Sequence, residues 1–133
     1  MSESVRVMLP EEKVNQRIAE LGEEISKEFA GEPVHLICIL KGSVFFTCEL
    51  AKRITVPVTM DFMTVSSYGS GTTSSGNVKI KKDLDEDIAG KNVVVIEDII
   101  DTGRTLACLL EILKERNPKK LKLCTLLDKP DRR

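Results

Sequence analysis

The reading of the fold turns on Asn92-Val93-Val94-Val95-Ile96-Glu97-Asp98-Ile99-Ile100-Asp101-Thr102-Gly103-Arg104-Thr105. Its opening run, Asn92 to Ile96, is apolar without alternation, the pattern of a strand covered on both faces in a parallel sheet. A polar turn follows. Leu106, Leu109, Leu110 and Leu113 then recur at helical spacing until Asn117-Pro118 forbids continuation, and Leu121 to Leu127 supplies the next strand. Strand, turn, helix and strand in this order make a parallel crossover.

Working outward, Val34 to Leu40 is a second continuous apolar run and predicts a second buried strand. Lys41-Gly42-Ser43 opens a helix in which Phe46, Leu50 and Ile54 repeat every four residues until Pro57, and a strand from about Val58 to Ser66 completes a second crossover. Upstream, Val14, Ile18, Leu21, Ile25 and Phe29 mark one face of a helix that Gly31 is placed to end. Tyr68 to Gly76 holds three glycines and no apolar anchor, so a mobile surface loop is expected there. Beyond it Val78 and Ile80 alternate with Lys79 and Lys81, which predicts a half-exposed strand pairing back as a hairpin. Two crossovers and one hairpin give an α/β fold, a mainly parallel twisted sheet flanked by helices. No internal repeat or boundary divides it, and residues 1–133 read as a single domain.

With 133 residues, one core that buries roughly two-thirds of the unfolded surface is within reach. Twenty basic side chains against 21 acidic ones give no electrostatic case for nucleic acid or anionic membrane, and four Phe, one Tyr and no Trp leave little for base stacking. The longest charge-free apolar stretch, Val34 to Leu40, is far too short to cross a bilayer, and Met1 to Val7 lacks the apolar core of a secretory signal, which places the protein in the cytoplasm. Cys38, Cys48, Cys108 and Cys124 lie in apolar segments without Cys-x-x-Cys spacing and read as small buried hydrophobes. His35, the one histidine, sits mid-strand and reads as a packed or edge histidine.

In open parallel sheets ligands bind beyond the carboxyl ends of the strands. After Ile96 come three carboxylates and a hydroxyl-and-glycine turn at the mouth of a helix. Asp101, Thr102, Gly103 and Thr105 can offer backbone N–H groups, hydroxyls and a positive helix terminus, a cradle for a monophosphate. Glu97 and Asp98 would repel a phosphate unless a divalent cation or sugar hydroxyls lay between, and carboxylate oxygens suit Mg²⁺. A phosphorylated sugar with Mg²⁺ satisfies both halves of the turn. A helix cap would explain Asp101 or Thr102 but not two further acids directly on the end of an apolar strand.

Val93 to Leu106 resembles the phosphoribosyl-diphosphate signature of type I phosphoribosyltransferases. Ile39-Leu40-Lys41-Gly42-Ser43, Asp61 to Gly71, Val78 to Ile88 and Leu126-Leu127-Asp128-Lys129-Pro130 match in order the hypoxanthine-guanine phosphoribosyltransferase branch of that family. The resemblance implies a purine-salvage glycosyltransferase that moves the 5-phosphoribosyl group from phosphoribosyl diphosphate to hypoxanthine or guanine, yielding IMP or GMP and pyrophosphate with Mg²⁺. It further implies a homodimer or homotetramer. Residue by residue, it implies that Asp101, Thr102, Gly103, Arg104 and Thr105 hold the 5′-phosphate, that Glu97 and Asp98 meet the ribose hydroxyls and metal, and that Asp101 also faces purine N7 as a proton acceptor. Lys41-Gly42 resembles the pyrophosphate-binding loop, whose peptide bond can be cis in this family; read without the resemblance, Lys41 is equally a solvated charge at a strand end.

Lys129 corresponds to the lysine that meets the purine 6-oxygen. An ammonium group donates three hydrogen bonds and accepts none, which suits a 6-oxo group and not a 6-amino group. Without the resemblance, Lys129 would read as a basic residue starting a surface turn. Ser67 and Tyr68 begin what resembles the catalytic lid, with a plain hairpin connection as the alternative. Family members continue past the equivalent of Arg133 with a segment that hoods the base, so an incomplete base half is expected in these 133 residues. Two other functions compete: a phosphoribosyl-diphosphate-sensing regulator of the same fold, and an aspartic protease suggested by Asp101-Thr102-Gly103. Intact acids at Glu97, Asp98 and Asp101 argue against the first, and the leucine-spaced helix that follows argues against the second.

Overall fold

A computed structural model of the chain describes residues 11–67, 78–100 and 104–128, with the backbone alone at 67, 98–100, 104, 105, 127 and 128. Helix α1, Glu11–Glu28, carries Glu11 and Glu12 in its first turn and Lys27 in its last, each sign matched to the helix dipole. Its buried stripe is the predicted one, Ile18, Leu21 and Ile25, continued by Phe29, and the chain turns at Gly31 with φ +80°. That φ favours glycine.

Strand β1, Val34–Ile39, is buried at all six positions, as its unbroken apolar run requires. Helix α2, Val44–Ala51, leads to β2, Val58–Ser67, and β3, Val78–Lys82, pairs antiparallel with β2. Strand β4, Asn92–Ile100, helix α3, Arg104–Lys114, and β5, Lys120–Asp128, complete the described chain. The sheet order is β3-β2-β1-β4-β5, with β1 parallel to both β2 and β4, and β4 parallel to β5. The alternating exposure of β3 fits its place as an edge strand covered on one face.

The pleat sends successive β1 and β4 side chains to opposite faces. Val34, Leu36, Val94 and Ile96 pack with Cys124 under α1 and α2, against Phe46, Leu50 and Ile54. Ile37, Ile39, Val93 and Val95 pack with Met63 and Ile88 under α3, against Leu109 and Leu113. Asn117 takes φ 63° beyond α3, a left-handed stop just before Pro118. Among the described residues no helix is long and apolar enough to cross a membrane.

Three local expectations are corrected. Helix α2 ends at Ala51, short of Ile54, because Arg53 and Ile54 N–H groups turn to the carbonyls of Leu50 and Ala51, three residues back. This tighter turn still delivers Ile54 to the core. Strand β4 runs on through its two acids to Ile100, because pairing with β5 continues from Glu97↔Thr125 to Ile100↔Asp128. Cys48 is exposed: it shares the outer face of α2 with Phe45, while Phe46, Thr47 and Leu50 face inward. The other cysteines are buried or half-buried and none of the four forms a disulfide, with burial pushing the Cys124 thiol up to about 11. The expected loop from Tyr68 to Gly76 lies outside the described residues.

Candidate functional site

The chain leaves β1 for β2 through α2 on one face of the sheet and leaves β4 for β5 through α3 on the other. Crossovers on opposite faces diverge from the adjacent strands β1 and β4, opening a crevice at their carboxyl ends. Leu40-Lys41-Gly42-Ser43 emerges from β1 there, and Glu97 and Asp98 lie toward the same end of β4.

The β1 side is held from both directions. Leu40 N–H donates to Met63 O at 2.9 Å, extending the hold of β2 past the end of β1, and Val44 N–H donates to Lys41 O at 3.2 Å. The cis peptide bond lies between Leu40 and Lys41, one bond ahead of the Lys41-Gly42 pair that the resemblance singled out. Lys41 and Gly42 are exposed, whereas Ser43 is fully buried. The Ser43 hydroxyl donates to Glu97 Oε1 at 2.9 Å, joining the β1 exit loop to the acid of β4. Glu97 itself is half-buried.

The predicted site residues thus divide. Lys41, Gly42 and Glu97 come to one crevice. Asp98 follows Glu97 on the β4 backbone, Arg104 and Thr105 form the first two positions of α3, and Ser67 closes β2 opposite Val78. Asp101, Thr102, Gly103, Tyr68 and Lys129 lie outside the described residues. The start of α3 directly after β4 provides the helix N-terminus expected to receive a phosphate.

Two polar residues complete the account. Ser43 was not singled out from sequence, where a serine opening a helix reads as a cap. His35 sits toward the amino end of β1, opposite Val93, where its Nδ1 lies 2.7 Å from Thr59 Oγ1. It is 2% exposed and burial pushes its pKa down, so it is a packed strand histidine remote from the crevice.

The model of the phosphoribosyl transferase domain family matches residues 8–133. Hypoxanthine phosphoribosyltransferase of Salmonella typhimurium is 51% identical over 135 aligned residues, spanning 100% of this chain and 76% of the relative. Hypoxanthine-guanine phosphoribosyltransferase of Mycobacterium tuberculosis is 50% identical over 131 residues, 94% of this chain and 65% of the relative. Among solved structures, a hypoxanthine-guanine phosphoribosyltransferase from Bacillus anthracis superposes with a TM-score of 0.92 at 46% identity, over 97% of this chain and 76% of that one. The likeness therefore covers the whole sheet and both sides of the crevice.

Proposed function

The chain belongs to the phosphoribosyltransferase family, and from that premise we propose that it joins the 5-phosphoribosyl group of phosphoribosyl diphosphate to a 6-oxopurine, hypoxanthine or guanine, in purine salvage. The observation that carries this reading is the meeting of the β1 exit loop with Glu97 at the crevice, joined by the Ser43 hydrogen bond. One phosphoribosyltransferase domain over residues 1–133 accounts for the reading, in a homodimer or homotetramer. Four cysteines outside any disulfide suit the reducing cytoplasm.

In the transfer, the bond from C1′ to the diphosphate oxygen breaks and a bond from C1′ to a purine nitrogen forms, releasing pyrophosphate and IMP or GMP. Positive charge grows on the sugar carbon, so fixed charges and dipoles around it lower the barrier most. Lys41 and Gly42 bind the diphosphate, where the ammonium group meets its negative charge. Residues 101–105 bind the 5′-phosphate, with the N-terminal N–H groups of α3 directed at an anion. Glu97 and Asp98 accept hydrogen bonds from the ribose hydroxyls. Asp101 accepts a proton at purine N7, Lys129 donates to the 6-oxygen, and Ser67 and Tyr68 begin the lid that excludes water.

The donor set of β4 fits Mg²⁺. Half-buried Glu97 offers hard carboxylate oxygen, and Asp98 adds a second carboxylate one residue on. Among the described residues no three His, Cys, Asp or Glu side chains gather as a closed metal cluster. Acids at this strand end would hold the ion with few protein oxygens and the ligand's own oxygens beside them. When bound, Mg²⁺ supplies charge neutralisation on the departing diphosphate.

The test is Mg²⁺-dependent nucleotide synthesis with hypoxanthine, guanine or adenine as acceptor. In a chain that also carries the family's hood segment, hypoxanthine and guanine are expected to react and adenine to be rejected. Asp101→Asn should lower kcat about 100-fold or more with donor binding largely kept, as loss of a proton acceptor predicts. Equal use of adenine would remove Lys129 from its role, and wild-type turnover by Asp101→Asn would remove Asp101.

A further inference from the structure

Serine is among the residues that most often cap a helix, and Ser43 occupies the N-cap position of α2 without doing so. Its carbonyl accepts the Thr47 N–H at 2.8 Å, but its backbone, at φ −89° and ψ 4°, is outside the extended region usual for caps and its side chain makes no cap bond. The hydroxyl is instead directed to Glu97 Oε1, 54 positions along the chain, at 2.9 Å. Ser43 is 0% exposed, so this donor is held by packing on all sides. A hydroxyl donating to a carboxylate is a charge-assisted bond, stronger and more directional than a neutral one.

We propose that Ser43 is the positioning residue for Glu97. Its buried hydroxyl sets the direction of the carboxylate relative to Lys41-Gly42, so that the sugar side and the diphosphate side of the crevice are held in one geometry. The bond narrows the rotamers open to Glu97, which leaves less ordering for ligand binding to impose. Partners that orient a binding carboxylate from behind typically matter nearly as much as the carboxylate itself. The inference rests on the proposed role of Glu97 toward ribose and metal.

The test is calorimetric titration of phosphoribosyl diphosphate, in excess Mg²⁺, into the wild type, Ser43→Ala, Glu97→Ala and the double variant, with a thermal melt of each. Ser43→Ala is expected to weaken donor binding about tenfold. In the Glu97→Ala background the same substitution should change affinity by less than about twofold, because the group it orients is gone. Equal losses in both backgrounds, or no loss from Ser43→Ala alone, would overturn the proposal. Wild-type affinity in Glu97→Ala would instead overturn the reading of Glu97, a separate failure. If Ser43→Ala does not fold, Ser43→Gly removes the same hydroxyl and carries the same expectation; unfolding of both would make Ser43 structural and end the proposal.

Discussion

His35 and Ser43 are buried polar residues of the central β1 region, one near each end, and they are satisfied differently. Ser43 donates to a carboxylate at the crevice, while the His35 ring meets Thr59 through Nδ1 and leaves Nε2 buried without a partner among the described residues. Burial, the largest cause, disfavours the charged imidazole and Lys91 adds repulsion, against a pull from Asp61 and Glu86, and the folded pKa lies below 6.5. An unfolded chain keeps the ordinary value near 6.5 and therefore binds more protons between the two values. The His35 contribution to stability is thus fully present above that pH and is lost as pH falls from about 6.5 through the folded pKa. Comparison of melting midpoints for the wild type and His35→Gln at pH 7.5 and pH 5 isolates this term, because carboxylate effects are common to both proteins. The wild type should lose more on acidification. A difference that does not vary with pH would mean that the fold accepts a charged imidazole at this position.

Elements that rest on a repeating pattern were legible in the sequence; those that rest on partners far along the chain were not. The unbroken runs of β1 and β4, the alternation of β3 and the leucine spacing of α3 state their burial directly. The end of α2 misleads because apolar spacing continues to Ile54, and a three-residue turn buries that side chain as well as another helical turn would. The end of β4 misleads because its acids look like a break, while a ladder with β5 continues beneath them. At the site, the residue types of the β4 turn were readable, but the bond from Ser43 to Glu97 depends on two strands becoming neighbours. Gly22 belongs to the same class. It lies on α1 where a Cβ would come 2.8 Å from Arg53 Cβ and 3.0 Å from Arg53 O, and Ser26 one turn later bonds Thr55 N–H at 2.9 Å. Gly22→Ala gains about 1 kcal/mol of helix propensity. It must also push α1 off a backbone carbonyl, an overpacking cost of about 1–3 kcal/mol that the bond from Ser26 makes hard to relieve. A fall in the melting midpoint of up to about 7 °C is expected. A midpoint above that of the wild type would show a looser seam between α1 and the turn after α2.

The two ends of the sheet are built for different work. At the amino end Asn92 Nδ2 donates to Glu32 Oε1 at 2.8 Å, Lys119 Nζ reaches the same oxygen at 3.0 Å, and Val34 N–H donates to Pro57 O at 2.8 Å. Those bonds close the strand ends against one another. At the carboxyl end the α2 and α3 crossovers diverge, and Glu97 of β4 is tied through Ser43 to the lysine-and-glycine loop. A ligand seated there would touch segments from both halves of the winding and would bind only the folded chain. With 20 basic and 21 acidic side chains the molecule exerts little net pull on an anion. Recognition of a diphosphate must therefore be local, and Glu97 and Asp98 oppose it unless a cation stands between. Phosphoribosyl diphosphate at 100 times its Kd should add about 2.7 kcal/mol of stability in the presence of Mg²⁺. For 133 residues, with an unfolding entropy of about 2.1 cal/mol/K per residue, that corresponds to a rise of about 10 °C in the melting midpoint. The same addition in a chelator should give a much smaller rise, because the acids then repel the phosphates directly. An equal rise with and without Mg²⁺ would show that the donor avoids the β4 carboxylates, and the proposed seating of ribose and diphosphate across the crevice would have to be abandoned.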